Sequence, residues 1–178
     1  MDFLEIAKKR QSTRNFDPLK KVPQELLERC LSAMVLSPSA CNAQPYFYYV
    51  LEGKKAKKAA KLTGKMNAFS KDAPVIIVVC EENYNLTAKI GSIVKNQDYK
   101  SIDIGISVAY LTSEATSLGL STCIMGWFDE KELGELLKFK GKIRLVIALG
   151  YSKDDELREK KRKTKSAIYK ILDDESIS

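Results

Sequence analysis

Two guanidiniums and a hydroxyl stand at alternate positions near the start of the chain. Arg10, Ser12 and Arg14 lie two residues apart within Arg10-Gln11-Ser12-Thr13-Arg14-Asn15-Phe16. In an extended segment side chains alternate faces, so these three share one, and Gln11, Thr13 and Asn15 share the other. Fork-shaped cations flanking a hydroxyl suit a phosphate or a carboxylate, because guanidinium meets an oxyanion through paired hydrogen bonds. Each charge-assisted bond contributes roughly 1.5–3 kcal/mol. The same residues also describe a solvated basic strand, whose surface ion pairs contribute about 0–1 kcal/mol each. Which reading holds depends on what else the chain carries.

It carries little that could act as a nucleophile or hold a metal. The four cysteines, Cys30, Cys41, Cys80 and Cys123, are not paired at metal-site spacing, and histidine is absent. That argues against zinc sites of the usual Cys/His kind and removes every Ser-His or Cys-His catalytic arrangement. Cys30, Cys80 and Cys123 sit in apolar surroundings and read as small core residues. A second polar constellation is Ser37-Pro38-Ser39-Ala40-Cys41-Asn42-Ala43-Gln44-Pro45, rich in hydrogen-bonding groups and without periodicity. Such a loop is either a plain connector or a binding element. The net charge of +7 is concentrated in Lys54–Lys61 and Arg158–Lys165. That excess suits an anionic ligand, a nucleic acid or solubility alone. The aromatics Tyr46–Tyr49 lie in an apolar strand, not on a basic face, which argues against nucleic acid. No run of eighteen apolar residues occurs, and Met1–Lys9 does not read as a signal peptide, so a cytoplasmic protein with reduced thiols and no membrane contact is expected.

The elements that must position these residues follow from periodicity. Asp2 is a plausible cap for a helix Phe3–Lys9, which delivers the chain into the Arg10 stretch. Pro23 opens a helix Gln24–Leu36 with a broad apolar stripe. Tyr46–Leu51 reads as a strand and Lys54–Leu62 as a lysine-faced helix. Pro74–Cys80 is a continuous apolar run of strand length, expected to be buried on both faces. Asp98–Leu118 is the longest helix. One of its stripes is Ile102, Ile106, Ala109, Tyr110, Ser113 and Ser117, and another is Ile104, Val108, Leu111 and Ala115. Apolar on more than one side, it is expected to be central and well buried, with Gly119 ending it. Ser121–Met125 is a strand, Glu130–Leu137 a helix capped by Asp129, and Lys142–Leu149 a strand. Residues Tyr84–Asp98 form an excursion that could serve as a lid. The interspersed strands and helices give an α+β or α/β layered domain. Neither a dinucleotide glycine fingerprint nor a P-loop is present.

In this order the motifs resemble the nitroreductase family of FMN-dependent oxidoreductases. The resemblance rests on Arg10-x-Ser12-x-Arg14-x-Phe16, Pro38-Ser39-Ala40-x-Asn42-x-Gln44-Pro45, Gly119-Leu120 leading to Cys123-Ile124-Met125-Gly126-Trp127, and Lys160-x-Arg162 ahead of Ile168. It spans residues 2–172. It implies an α+β fold: a three-layer α/β/α sandwich with a mostly antiparallel central sheet, a long central helix and an intertwined homodimer. The domain would be 1–172, with 173–178 a frayed tail. By position, Arg10, Gln11, Ser12 and Arg14 match the stretch that holds FMN, and Lys160 and Arg162 the basic pair that closes on its phosphate. Pro38, Ser39, Ala40, Asn42 and Gln44 match the loop that reaches the neighbouring subunit's flavin. Met125 and Gly126 match the turn beside the flavin ring. Tyr46 and Ala40 stand where the family often has tryptophan and serine. The implied activity is ping-pong hydride transfer from NADH or NADPH, through flavin N5, to a nitroaromatic, quinone or similar small acceptor. No protein side chain would be catalytic and no metal is implied. Reductive dehalogenation, flavin breakdown and a non-catalytic flavin-binding dimer are alternatives on the same motifs.

Overall fold

The computed structural model describes residues 2–84, 96–154 and 156–172. Four strands form one sheet in the order β1-β2-β4-β3, where β1 is Tyr46–Glu52, β2 Val75–Glu81, β3 Ser121–Met125 and β4 Ile143–Gly150. Every neighbouring pair is antiparallel.

The apolar run of β2 explains the layering. Its residues Val75 to Cys80 are all fully buried, which requires a covered surface on each side of the sheet. Side chains alternate, so Ile76, Val78 and Cys80 enter one core with Phe16, Ala56, Ala59 and Leu133. Val75, Ile77 and Val79 enter the other with Leu27, Cys30, Ile104, Val108 and Leu111. The first core is roofed by α3 (Gly53–Lys61) and α5 (Glu130–Leu137), the second by α2 (Gln24–Val35) and α4 (Tyr99–Ser117). The result is the expected three-layer α/β/α arrangement.

Helix boundaries follow local chemistry. Asp2 caps α1 (Phe3–Lys9) through the Glu5 amide at 2.9 Å, and Asp129 caps α5 through the Glu132 amide at 2.9 Å. Gly119, at φ +75°, supplies the left-handed residue just past α4. Arg144 on β4 pairs with Glu81 at 2.5 Å and also reaches Ser101, which joins the ends of β2 and β4 to the first turn of α4.

One expectation needs correcting. The long helix α4 is not buried all round. Ile104, Val108, Leu111 and Ala115 are buried, whereas Ile102 and Tyr110 of the other stripe are 48% and 44% exposed. A single chain has only one sheet face to offer this helix, so its second apolar side stays open. The tail residues Ile168, Tyr169, Ile171 and Leu172 are exposed as well. The excursion expected at 84–98 lies mostly outside the described residues. Among the described residues no helix is long and apolar enough to cross a membrane.

Candidate functional site

The Arg10–Phe16 stretch is pinned along both edges. The Thr13 amide donates to the Thr122 carbonyl on β3 at 2.9 Å, and the Lys153 amide donates to the Asn15 carbonyl at 2.9 Å. Phe16 is fully buried and stacks on Phe69 with ring centroids 6.4 Å apart. These anchors hold the segment extended and sort its side chains. Arg10, Ser12 and Arg14 gather around Cys123. Burial raises that thiol, while Arg14, the Ser12 hydroxyl, Arg10 and Arg158 pull it back down. The Arg14 guanidinium also lies 6.0 Å from the Phe69 ring centre.

The other face of the stretch receives the C-terminal tail. Gln11 donates to the Glu156 carbonyl at 2.9 Å and accepts from the Arg158 amide at 3.2 Å. Asn15 donates to the Asp154 carboxylate at 2.6 Å. The Arg158 guanidinium donates to the Ser12 carbonyl, and the Lys160 ammonium reaches the carbonyls of Ala7 and Arg10, each at 2.6 Å. The Lys160 pKa is lowered, first by burial and then by the charges of Arg10 and Arg162. Arg162 is exposed and donates to the Lys161 carbonyl. Arg10, Arg14, Arg158, Lys160 and Arg162 thus form one cationic neighbourhood. Among the described residues none of the five forms an ion pair with a carboxylate. One buried guanidinium nitrogen of Arg10, Nη1, has no hydrogen-bond partner there.

The Pro38–Gln44 loop is built differently. Ser39 and Ala40 are half-buried, and Pro38, Asn42 and Gln44 are exposed. Cys41, Asn42 and Gln44 all have left-handed backbone, with φ of 51°, 51° and 44°. Non-glycine residues there cost about 1–3 kcal/mol each and persist only where surrounding bonds impose them. The Ala40 amide donates to Asp103 of α4 at 3.0 Å, and the Gln44 amide to the Ser39 hydroxyl at 3.0 Å. The Gln44 carbonyl accepts from the Tyr46 amide of β1 at 2.8 Å, so the loop is bonded to α4, to β1 and to itself.

The third part is the turn after β3. Met125 is buried, Gly126 is exposed and Trp127 is 69% exposed. Asn67 ties this turn down by donating to the Trp127 carbonyl at 3.0 Å and to the Thr63 carbonyl at 3.2 Å.

A family model described as the nitroreductase family matches residues 7–71 and 61–151. The chain belongs to the nitroreductase family. An NADH dehydrogenase/NAD(P)H nitroreductase, so named, of Methanothermobacter thermautotrophicus is 30% identical over 71% of this chain, which spans 61% of that protein's length. The oxygen-insensitive NADPH nitroreductase of Helicobacter pylori strain J99 is 28% identical, with 93% of this chain and 97% of that protein aligned. The fold is also that of an Exiguobacterium sibiricum protein assigned as a nitroreductase and solved in complex with FMN. The TM-score there is 0.80, at 20% identity over 97% of this chain and 98% of that one.

For a nitroreductase-family chain, three contributors are easy to miss in the sequence. Arg158 lies in a tail with six basic residues between 158 and 165, and nothing local singles it out. Asn67 lies in a short 3-10 segment, Lys65–Asp72, without strong periodicity. Asp103 had a usable signal, because it is a carboxylate beside the apolar stripe of Ile104, Val108 and Leu111. The buried thiols Cys30 and Cys80 add nothing reactive. Burial lifts Cys30 to about 11 and Cys80 to about 12, so both stay protonated at neutral pH. Among the described residues no cluster could hold a metal ion.

Proposed function

We propose that this chain is an FMN-dependent NAD(P)H oxidoreductase acting on a nitroaromatic, quinone or similar small acceptor, and that it works as a homodimer. The observation that carries the reading is the cationic neighbourhood of Arg10, Arg14, Arg158, Lys160 and Arg162. It lacks a carboxylate partner among the described residues and contains a buried, unpartnered Arg10 nitrogen. A buried donor with no acceptor is costly, and a phosphate oxygen would complete it. The residues present therefore fit the phosphate end of FMN. Bound FMN would supply a ring that accepts hydride from NADH or NADPH and passes it to the acceptor.

The chain's own residues bind and orient. Arg10 and Arg14 would hold the phosphate, with Ser12 between them. Arg158 and Lys160 fasten the tail across that stretch through backbone carbonyls, which keeps their charge beside it. Asn67 fixes the Met125–Trp127 turn that would lie against the flavin ring. The Ser39–Gln44 loop, anchored on α4 through Asp103, would serve the flavin of the partner subunit. With no histidine and the buried thiols held protonated, proton movement falls to water and substrate.

The test is an absorption spectrum of purified protein supplied with FMN, followed by anaerobic NADH and then NADPH. A flavin band that bleaches on one of them and returns with a quinone or nitro compound supports both half-reactions. A protein that takes up no FMN overturns the reading, and one whose flavin never bleaches removes the nicotinamide donor.

A further inference from the structure

We propose that Asp103 is a positioning residue that holds the Ser39–Gln44 loop in its left-handed shape and so sets one wall of the flavin pocket. The inference rests on the FMN reading above.

Three observations carry it. The loop contains left-handed residues at Cys41, Asn42 and Gln44, none of which is glycine. Such a conformation relaxes unless bonds outside the strained residues impose it. Inside the loop the Asn42 amide bonds Ser39, the Ala43 amide bonds Ala40, and the Gln44 side chain bonds Asn42. Those bonds close the loop on itself, and the Tyr46 amide holds its far end to β1 through the Gln44 carbonyl at 2.8 Å. The Ala40 amide fastens its near end to α4, by donating to Oδ1 of Asp103.

Asp103 is an expensive way to supply an acceptor. Its residue is 2% exposed and flanked along the helix by Ile104 and Ser107, with Oδ2 unpartnered among the described residues. A buried carboxylate with one hydrogen bond is poorly compensated, and an apolar residue of similar size would pack there at less cost. Stability therefore does not explain this side chain. Ser107, one turn further along α4 and also buried, engages the Tyr48 hydroxyl on β1. The two polar positions lie on the sheet-facing side of α4 and fasten the start and the end of the same stretch, Ala40 and Tyr48. The helix that supports the core thereby also sets where the loop stands.

The test compares Asp103→Leu and Asp103→Asn with wild type. Leucine fills the volume and leaves the Ala40 amide without its acceptor, while asparagine keeps an acceptor oxygen. Amide hydrogen exchange is followed by mass spectrometry in the 37–48 peptide and in peptides from β2 and β4, and FMN affinity by titration. In Asp103→Leu, exchange across 37–48 and the FMN Kd should each rise about tenfold or more, as expected for losing a bond to a charged acceptor, with β2 and β4 unchanged. Asp103→Asn should stay within about threefold of wild type on both. A merely structural role would instead accelerate exchange in β2 and β4 together with the loop. Unchanged loop exchange in Asp103→Leu overturns the proposal, as does a loosened loop with undiminished FMN affinity. Should Asp103→Leu not fold, Asp103→Ala carries the same readouts. A wild type that takes up no FMN sinks the cofactor reading, while the exchange comparison still decides whether Asp103 holds the loop.

Discussion

Within the cationic neighbourhood the residues are not equivalent, and geometry ranks them. Both Arg158 and Arg162 are exposed, but Arg158 donates to the Ser12 carbonyl within the Arg10–Arg14 stretch, whereas Arg162 bonds the neighbouring Lys161 carbonyl. Arg158→Ala should therefore raise the FMN Kd about 10- to 150-fold, the equivalent of one charge-assisted bond, and Arg162→Ala by much less. Fluorescence titration of FMN at one fixed salt concentration separates the two, and equal losses would show that the tail adopts another register. Asp103 behaves differently, because its charge is a cost to the fold. Burial raises its pKa, with the Ala40 amide pulling the other way. Above the ordinary carboxylate range the unfolded chain has released this proton while the folded chain still holds it. Stability contributed by the group therefore falls as pH rises through that range and up to the folded pKa. Asp103→Asn should remove that slope and leave the protein at least as stable as wild type at neutral pH. Urea midpoints measured across acidic and neutral pH check it, and a variant that is less stable at neutral pH would contradict the assignment.

At the scale of elements, what the sequence shows and what it hides have separate causes. The unbroken apolar run of β2 and the periodic stripes of α2 and α4 are local patterns, and burial imposes them directly, so they can be read without coordinates. The Arg10–Phe16 alternation is legible for the same reason. The tail is not, because six basic residues in 158–165 are chemically interchangeable until tertiary contacts choose Arg158 and Lys160. The left-handed turns at Cys41, Asn42 and Gln44 are hidden too, since glycine, the usual marker of such backbone, is missing from them. Lys138 is another case. It ends α5 at φ +54° where glycine is favoured, and its side chain is exposed. Lys138→Gly should stabilise the fold by about 1 kcal/mol, since the left-handed penalty of a side chain disappears. In a chain of this length that corresponds to a Tm increase of about 2–4 °C. Thermal unfolding followed by circular dichroism measures it, with FMN affinity expected to be unchanged because α5 roofs the sheet face away from the Ser39–Gln44 loop.

At the scale of the whole molecule, the distribution of apolar surface is the informative feature. Phe3 and Leu4 of α1, Val35 and Leu36 at the end of α2, and Ile102 and Tyr110 of α4 are exposed by 44–78%. A soluble monomer rarely leaves so much large apolar surface open on neighbouring elements. The second stripe of α4 has the periodicity of a buried face, and among the described residues nothing covers Ile102 and Tyr110. A sequence pattern cannot tell cover by the same chain from cover by another copy, which is why this helix reads as fully buried. The Ser39–Gln44 loop points the same way, since its Ala40 amide is anchored on α4, the helix that carries the open stripe. A second copy covering α4 would bring that loop to the other chain's cluster, and cofactor binding would then require association. Sedimentation should give a particle of twice the 20.0 kDa chain mass at micromolar concentration. Ile102→Glu, which places a charge at the N-terminal end of the open stripe, should yield a folded monomer with native far-ultraviolet circular dichroism. That monomer should lose FMN on gel filtration even with Arg10, Arg14 and Arg158 intact. Retention of FMN at full affinity by a monomeric Ile102→Glu would place the whole flavin site within one chain, and a monomeric wild type would leave the open face of α4 without the partner assigned to it.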